Sequence, residues 1–143
     1  MLHHAFKSSA LCCLLLSAAC GGGSDDEPPG NGPNAPPAFT SAATASVSEN
    51  TSGAFYTATA TDADGDALSF SISGGPDAAR FSITVGGALS FTTAPDFEAP
   101  ADANADNIYE ATLRVSDGEA AATLALAVTV TDVFEEVSVR RVT

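Results

Sequence analysis

From residue 43 onward, polar and apolar residues alternate along much of the chain. Ala43, Ala45 and Val47 alternate with Thr44 and Ser46. Tyr56, Ala58 and Ala60 alternate with threonines, and Leu68, Phe70 and Ile72 with serines. Phe81 and Ile83 form a shorter run, as do Leu89 and Phe91. Two longer runs follow, Tyr109-Ala111-Leu113-Val115 and Leu124-Leu126-Val128-Val130. A period of two over four to eight residues predicts half-buried strands, because successive side chains of a strand point to opposite faces. Turn residues separate many of the runs: Asp64-Gly65, Gly74-Gly75-Pro76, Gly86-Gly87 and Asp117-Gly118. No segment has a helical period.

Seven short strands within about 95 residues predict an all-β fold, a seven-stranded immunoglobulin-like Greek-key sandwich. The chain before them is built differently. His3, His4 and Lys7 make a positively charged start, Ala10 to Leu16 is apolar, and small residues Ser17-Ala18-Ala19 precede Cys20. This order predicts a secretory signal over residues 1–19. The apolar run is well short of the roughly 20 residues that a helix needs to cross a bilayer. Residues 21–38 (GGGSDDEPPGNGPNAPPA) offer no apolar face to bury and are expected to form a flexible linker, with a reach of about 20–25 Å. The expected domain is 39–136, and 137–143 is a short tail.

Leu16-Ser17-Ala18-Ala19-Cys20 resembles the lipobox of bacterial lipoproteins. The resemblance implies a diacylglycerol on the thiol of Cys20 and a membrane tether. The family prefers Leu where Ser17 stands, and cleavage after Ala19 by the ordinary route is the alternative. Gly21 after the cysteine, rather than Asp, resembles the outer-membrane sorting pattern, so the expected place is the outer membrane, periplasmic or surface-facing. Cys12 and Cys13 leave with the signal, so the mature chain retains one cysteine and no internal disulfide is expected.

Charge narrows the partners. Eighteen acidic residues stand against five basic ones. Such a chain repels phosphate backbones, which argues against nucleic acid, and attracts cations. The acids also fall at particular places. Alternation carries the inward parity of the strands directly into carboxylates: Val47 into Glu49, Ala60 into Asp62 and Asp64, Val115 into Asp117, Val130 into Asp132. If successive strands run antiparallel, the first, fifth and seventh finish at one end. They bring Glu49, Asp96, Glu98 and Asp132 together there. The second and sixth finish at the other end, with Asp62, Asp64 and Asp117. Like charges gathered this way repel, and a hard divalent cation with oxygen ligands relieves the repulsion.

Five segments carry a resemblance to cadherin domains, particularly the bacterial cadherin-like repeats. They are Ser48-Glu49-Asn50, Asp62-Ala63-Asp64, Asp96-Phe97-Glu98, the Tyr109 to Gly118 stretch ending on Asp117, and Val128 to Val133 containing Asp132. Each is short, but all five occur in the family's order across residues 39–136. The resemblance implies calcium as the ion, held by Glu49, Asp62, Asp64, Asp96, Glu98, Asp117 and Asp132. It also implies an adhesion or spacer role through a protein partner or self-association. In that family calcium lies between successive repeats. Here Asp132-Val133 runs into Phe134 rather than the family's asparagine, and each pole is expected to hold an incomplete site.

Other classes fit less well. An EF-hand-like loop fails at Asp62-Ala63-Asp64-Gly65-Asp66, where glycine is fourth rather than sixth and Ser73 takes the twelfth place. After residue 20 there is no histidine and no lysine, so the usual bases and activated nucleophiles are missing and no enzyme is expected. A carbohydrate-binding or purely structural surface module without calcium is the alternative. With no Trp, and with Tyr56 and Tyr109 in strand parity, the chain offers little for stacking on sugars.

Overall fold

Tyr109, Ala111, Leu113 and Val115 share one face of the strand Ile108–Ser116, and all four are buried. Val47, Leu126, Val128 and Val130 continue that face across neighbouring strands. Fully burying one such aliphatic or aromatic side chain stabilises the fold by about 1.5–3 kcal/mol. The alternation is thus the imprint of one sheet with a covered and a solvated face.

The structure is a computed structural model that describes residues 33–134. The expected signal at 1–19, Cys20, Glu135 and Glu136 at the end of the expected domain, and the tail 137–143 lie outside the described residues. The strands are β1 (Ala38–Phe39), β2 (Thr44–Ser48), β3 (Ala54–Thr57), β4 (Ala60–Thr61), β5 (Ser69–Gly74), β6 (Phe81–Ile83), β7 (Ala88–Phe91), β8 (Ile108–Ser116) and β9 (Ala121–Thr131). A 3-10 turn, Ala78–Arg80, interrupts the β pattern before β6. One sheet has the order β2-β9-β8-β5, the other β3-β7-β6, and β1 pairs with β4. All pairings are antiparallel except that of β2 with β9. The fold is the all-β immunoglobulin-like sandwich expected from the alternation.

Two local differences from the simple alternation lie in the second run. The second run is divided into β3 and β4, and a register shift between Ala54 and Tyr56 lies in the β3–β7 pairing. The shift lets Phe55 as well as Tyr56 pack on the core. Phe55 stacks on Phe91 at 4.9 Å between ring centroids, and Phe91 meets Tyr109 edge-on at 5.1 Å. These rings join the three-stranded sheet to the four-stranded one.

Two glycines permit close backbone approaches. A Cβ on Gly87 (φ +92°) would come within 2.4 Å of the Ala58 carbonyl oxygen, and one on Gly75 (φ +110°) within 2.6 Å of Ala111 Cα. Among the described residues, no helix is long and apolar enough to cross a membrane.

Candidate functional site

Sheet direction sorts the acids into two groups. β2 runs parallel to β9, with Ser48 opposite Thr131, so Glu49 and Asp132 leave the sandwich at the same end. Asn50 donates its backbone N–H to Pro95, which brings the segment after β7 to that end as well. β8 is antiparallel to β9 and releases Asp117 at the opposite end.

Glu49 is the centre of the first pole. It is only 4% exposed. Its Oε2 accepts from the Phe97 N–H at 3.0 Å and its Oε1 from the Val133 N–H at 2.8 Å. These bonds, Val133 first, hold its carboxyl below the ordinary glutamate range against the opposing effect of burial. Ligand oxygens of Glu49, Asp96 and Glu98 all lie within 4.8 Å of one another. Glu98 shows the strain of this crowding. Its own backbone N–H favours the charged form, yet desolvation and the charges of Glu49 and Asp132 prevail and raise its carboxyl above the ordinary range. All four acids predicted for this pole therefore meet there.

The second pole is built on a tight turn. Asp62 Oδ1 accepts from the N–H groups of Asp64 at 2.9 Å and Asp66 at 3.3 Å, with Gly65 at φ +79° between them. Asp62, Asp64 and Asp66 bring ligand oxygens within 4.8 Å of one another. Among the described residues, Asp62 Oδ2 is buried with no hydrogen-bond partner. A buried carboxylate oxygen without a donor is costly, and a cation or an ordered water would remove the cost.

Asp117 lies at the same pole but joins it differently. Its Oδ1 accepts from Ala120 N–H at 2.6 Å and Glu119 N–H at 2.8 Å, and its Oδ2 from Asn34 Nδ2 at 3.1 Å. The Ala120 bond first, then Asn34, hold its carboxyl below the ordinary aspartate range. Ala35 N–H donates to Asp64 Oδ2 at 2.7 Å. The chain ahead of β1 is thus latched across the acids of this pole.

Three acids were not singled out from the sequence. Asp66 completes the turn cluster, and its signal was the Asp62-x-Asp64-x-Asp66 spacing itself. Asp77 and Asp102 are buried. Asp77 accepts from Ala103 and Glu110, and Asp102 from Asp106 and Asn107. They hold the long 92–107 connection through backbone contacts that no local pattern announces. Burial opposes ionisation of Asp102, but its backbone donors, Asp106 foremost, outweigh this and lower its carboxyl below the ordinary range.

Both three-carboxylate groups consist of oxygen donors alone, the chemistry that suits calcium or magnesium rather than zinc or copper. The rings beside the first pole are of another kind. Phe91 and Tyr109 help to line a cleft of about 340 Å³, but Tyr109 is 1% exposed and forms part of the core.

A family model described as bacterial Ig domain matches residues 34–132. No match is found among curated proteins. Solved cadherin structures share the fold. The EC1-2 fragment of human protocadherin-24 superposes with a TM-score of 0.60 at 24% identity, over 70% of this chain and 45% of that one. Drosophila N-cadherin EC1-4 gives 0.59 at 20% identity, over 70% of this chain and 25% of that one. The mouse clustered protocadherin EC1-3 structure gives 0.54 at 24% identity, over 69% and 34%. The chain spans less than half the length of each fragment, and at these identities the likeness is one of fold.

Proposed function

The chain belongs to the bacterial Ig domain family, and from that premise we propose that it is a calcium-binding, cadherin-like adhesion or spacer module, tethered to a membrane by a lipid on Cys20. Its work is contact with proteins rather than catalysis. The observation that carries the calcium reading is Asp62 Oδ2, buried beside Asp64 and Asp66 without a donor among the described residues. The Glu49-Asp96-Glu98 group at the other pole supports it, because a cation there would relieve the repulsion that raises Glu98.

At the first pole Glu49, Asp96, Glu98 and Asp132 would hold the ion, and at the second Asp62, Asp64 and Asp66, with Asp117 adjoining. When bound, calcium supplies positive charge that cross-links strand ends distant in sequence. Glu49 and Asp117 are already fixed by backbone donors, so part of the ordering cost is met before the ion arrives.

The tether reading rests on the residues around Cys20 and places the module in the outer membrane, facing the periplasm or the surface. Contact with proteins follows the fold likeness to cadherins. The test is calcium titration of the protein followed by thermal melting, with Asp64→Asn as the comparison. A rise in melting temperature that Asp64→Asn diminishes supports the reading. No response to calcium well above millimolar refutes it.

A further inference from the structure

We propose that the outer face of the β2-β9-β8-β5 sheet is a self-complementary contact surface, on which a second copy of this chain packs face to face with its strands reversed. The proposal deepens the contact role argued above and rests on it, but it makes no use of calcium.

The observation is the distribution of charge on that face. The chain carries a formal net charge of −13, so most approaches of one copy to another are repulsive. The outward positions of the four strands are different. They hold alanine, serine and threonine, together with Ile108 and two charged residues, Glu110 and Arg114. Both charged residues are exposed, and among the described residues neither side chain has an ion pair or hydrogen bond. They do not pair with each other, standing about 13 Å apart along the strand at four residues' separation.

The two charges flank Thr112 symmetrically. Let a two-fold axis lie between two such faces, across the strands and over Thr112. It then reverses β8 and sets each Glu110 opposite the other copy's Arg114. Both charges are satisfied at once by a surface meeting itself, the condition for an isologous dimer. Thr112 stands beside Ala125 in the β8–β9 register, so small side chains surround the axis and permit close approach. A shallow depression of about 200 Å³ lies there, lined by Gly75, Pro76, Glu110, Thr112, Ala125 and Ala127 among others.

Four strands at 4.7–4.9 Å spacing make the face about 19 Å wide, and β8 makes it about 30 Å long. That is the size of a transient contact rather than a permanent one. Because the strands are reversed, the two N-terminal segments leave from opposite ends, as copies on facing membranes require.

The test uses charge exchange in the chain starting at residue 20, with Cys20→Ser throughout so that neither an acyl group nor the apolar signal drives association. Sedimentation equilibrium up to about 1 mM, with and without calcium, reads the dimer constant. The parent should self-associate reversibly in both conditions. Glu110→Arg alone and Arg114→Glu alone should each weaken association about tenfold or more, since every attractive pair becomes a repulsive one. An equimolar mixture of the two variants should form a mixed dimer, because all four charges are then matched. The ability to form that mixed dimer also certifies that both variants are folded. A parent that stays monomeric to 1 mM overturns the proposal. So does association indifferent to either exchange, or a mixture no better than its separate components. None of these outcomes bears on the calcium reading, which is tested by melting.

Discussion

The carboxylate of Glu49 accepts a hydrogen bond of 2.8 Å from the backbone N–H of Val133, 84 positions further along the chain. Its other oxygen holds Phe97 in the same way. One buried acid therefore joins the end of β2, the long connection after β7 and the exit from β9. Glu49→Ala leaves two backbone donors unsatisfied and is expected to lower the melting temperature by about 5–10 °C. Glu49→Gln should cost less, since its carbonyl can still serve one donor. Thermal melts of the two variants without calcium check this order.

Acid should act on the domain in two stages. Glu98 is raised above its ordinary value, so the folded state binds its proton more tightly than the unfolded state does. Its contribution is favourable when protonated and is lost as pH rises through the folded value. Glu49, Asp102 and Asp117 are lowered, so their contribution is present above the unfolded values and disappears as pH falls through the folded ones. Without calcium, mild acid just above the ordinary glutamate range should stabilise slightly through Glu98, and stronger acid should then destabilise. Glu98→Gln should abolish the first stage and leave the second, as followed by melting temperature against pH.

Calcium at about ten times its dissociation constant should stabilise the folded state by about 1.4 kcal/mol. For a domain of this size that raises the melting temperature by about 6–11 °C. With incomplete ligand sets the constants should lie at about 10⁻⁴ to 10⁻³ M, and magnesium should do less because it keeps its waters. Asp64→Asn should shrink the calcium effect without unfolding the calcium-free domain. Calorimetric titration of the parent and the variant checks both points.

Cys20→Ser should release the protein from the membrane fraction or leave the signal uncut. Detergent partitioning and the mass of the processed chain provide the readout. Normal cutting combined with unchanged partitioning would exclude the lipid.

Gly87→Ala should destabilise by about 2–4 kcal/mol, since the added Cβ meets the Ala58 carbonyl in a left-handed backbone conformation. Gly53→Ala has a similar φ of +94° but nothing within 4 Å, and should cost only about 1 kcal/mol. Denaturant unfolding of both variants separates the close approach from backbone strain.

Alternation by itself determined the all-β class and the buried faces of the longer strands, because the two-residue period of Tyr109 to Val115 and Leu124 to Val130 is a local property, whereas the division of the second run into β3 and β4 and the pairing of β1 with β4 were not in it. It also located the acids, since inward parity ran into carboxylates at Glu49, Asp62, Asp117 and Asp132. Only the tertiary structure decided which oxygens meet. Asp62 Oδ2 is orphaned and Glu49 is doubly bound because of folded backbone geometry that no alternation encodes. Asp66 was visible in its spacing, but its place beside Asp62 depends on the turn at Gly65. Asp77 and Asp102 were illegible for a related reason. A carboxylate in an irregular connection looks solvated until distant backbone donors, such as Ala103 and Glu110 for Asp77, close around it. Strand periodicity records which way a side chain faces, whereas hydrogen bonding across 26 or 84 residues depends on where the chain returns.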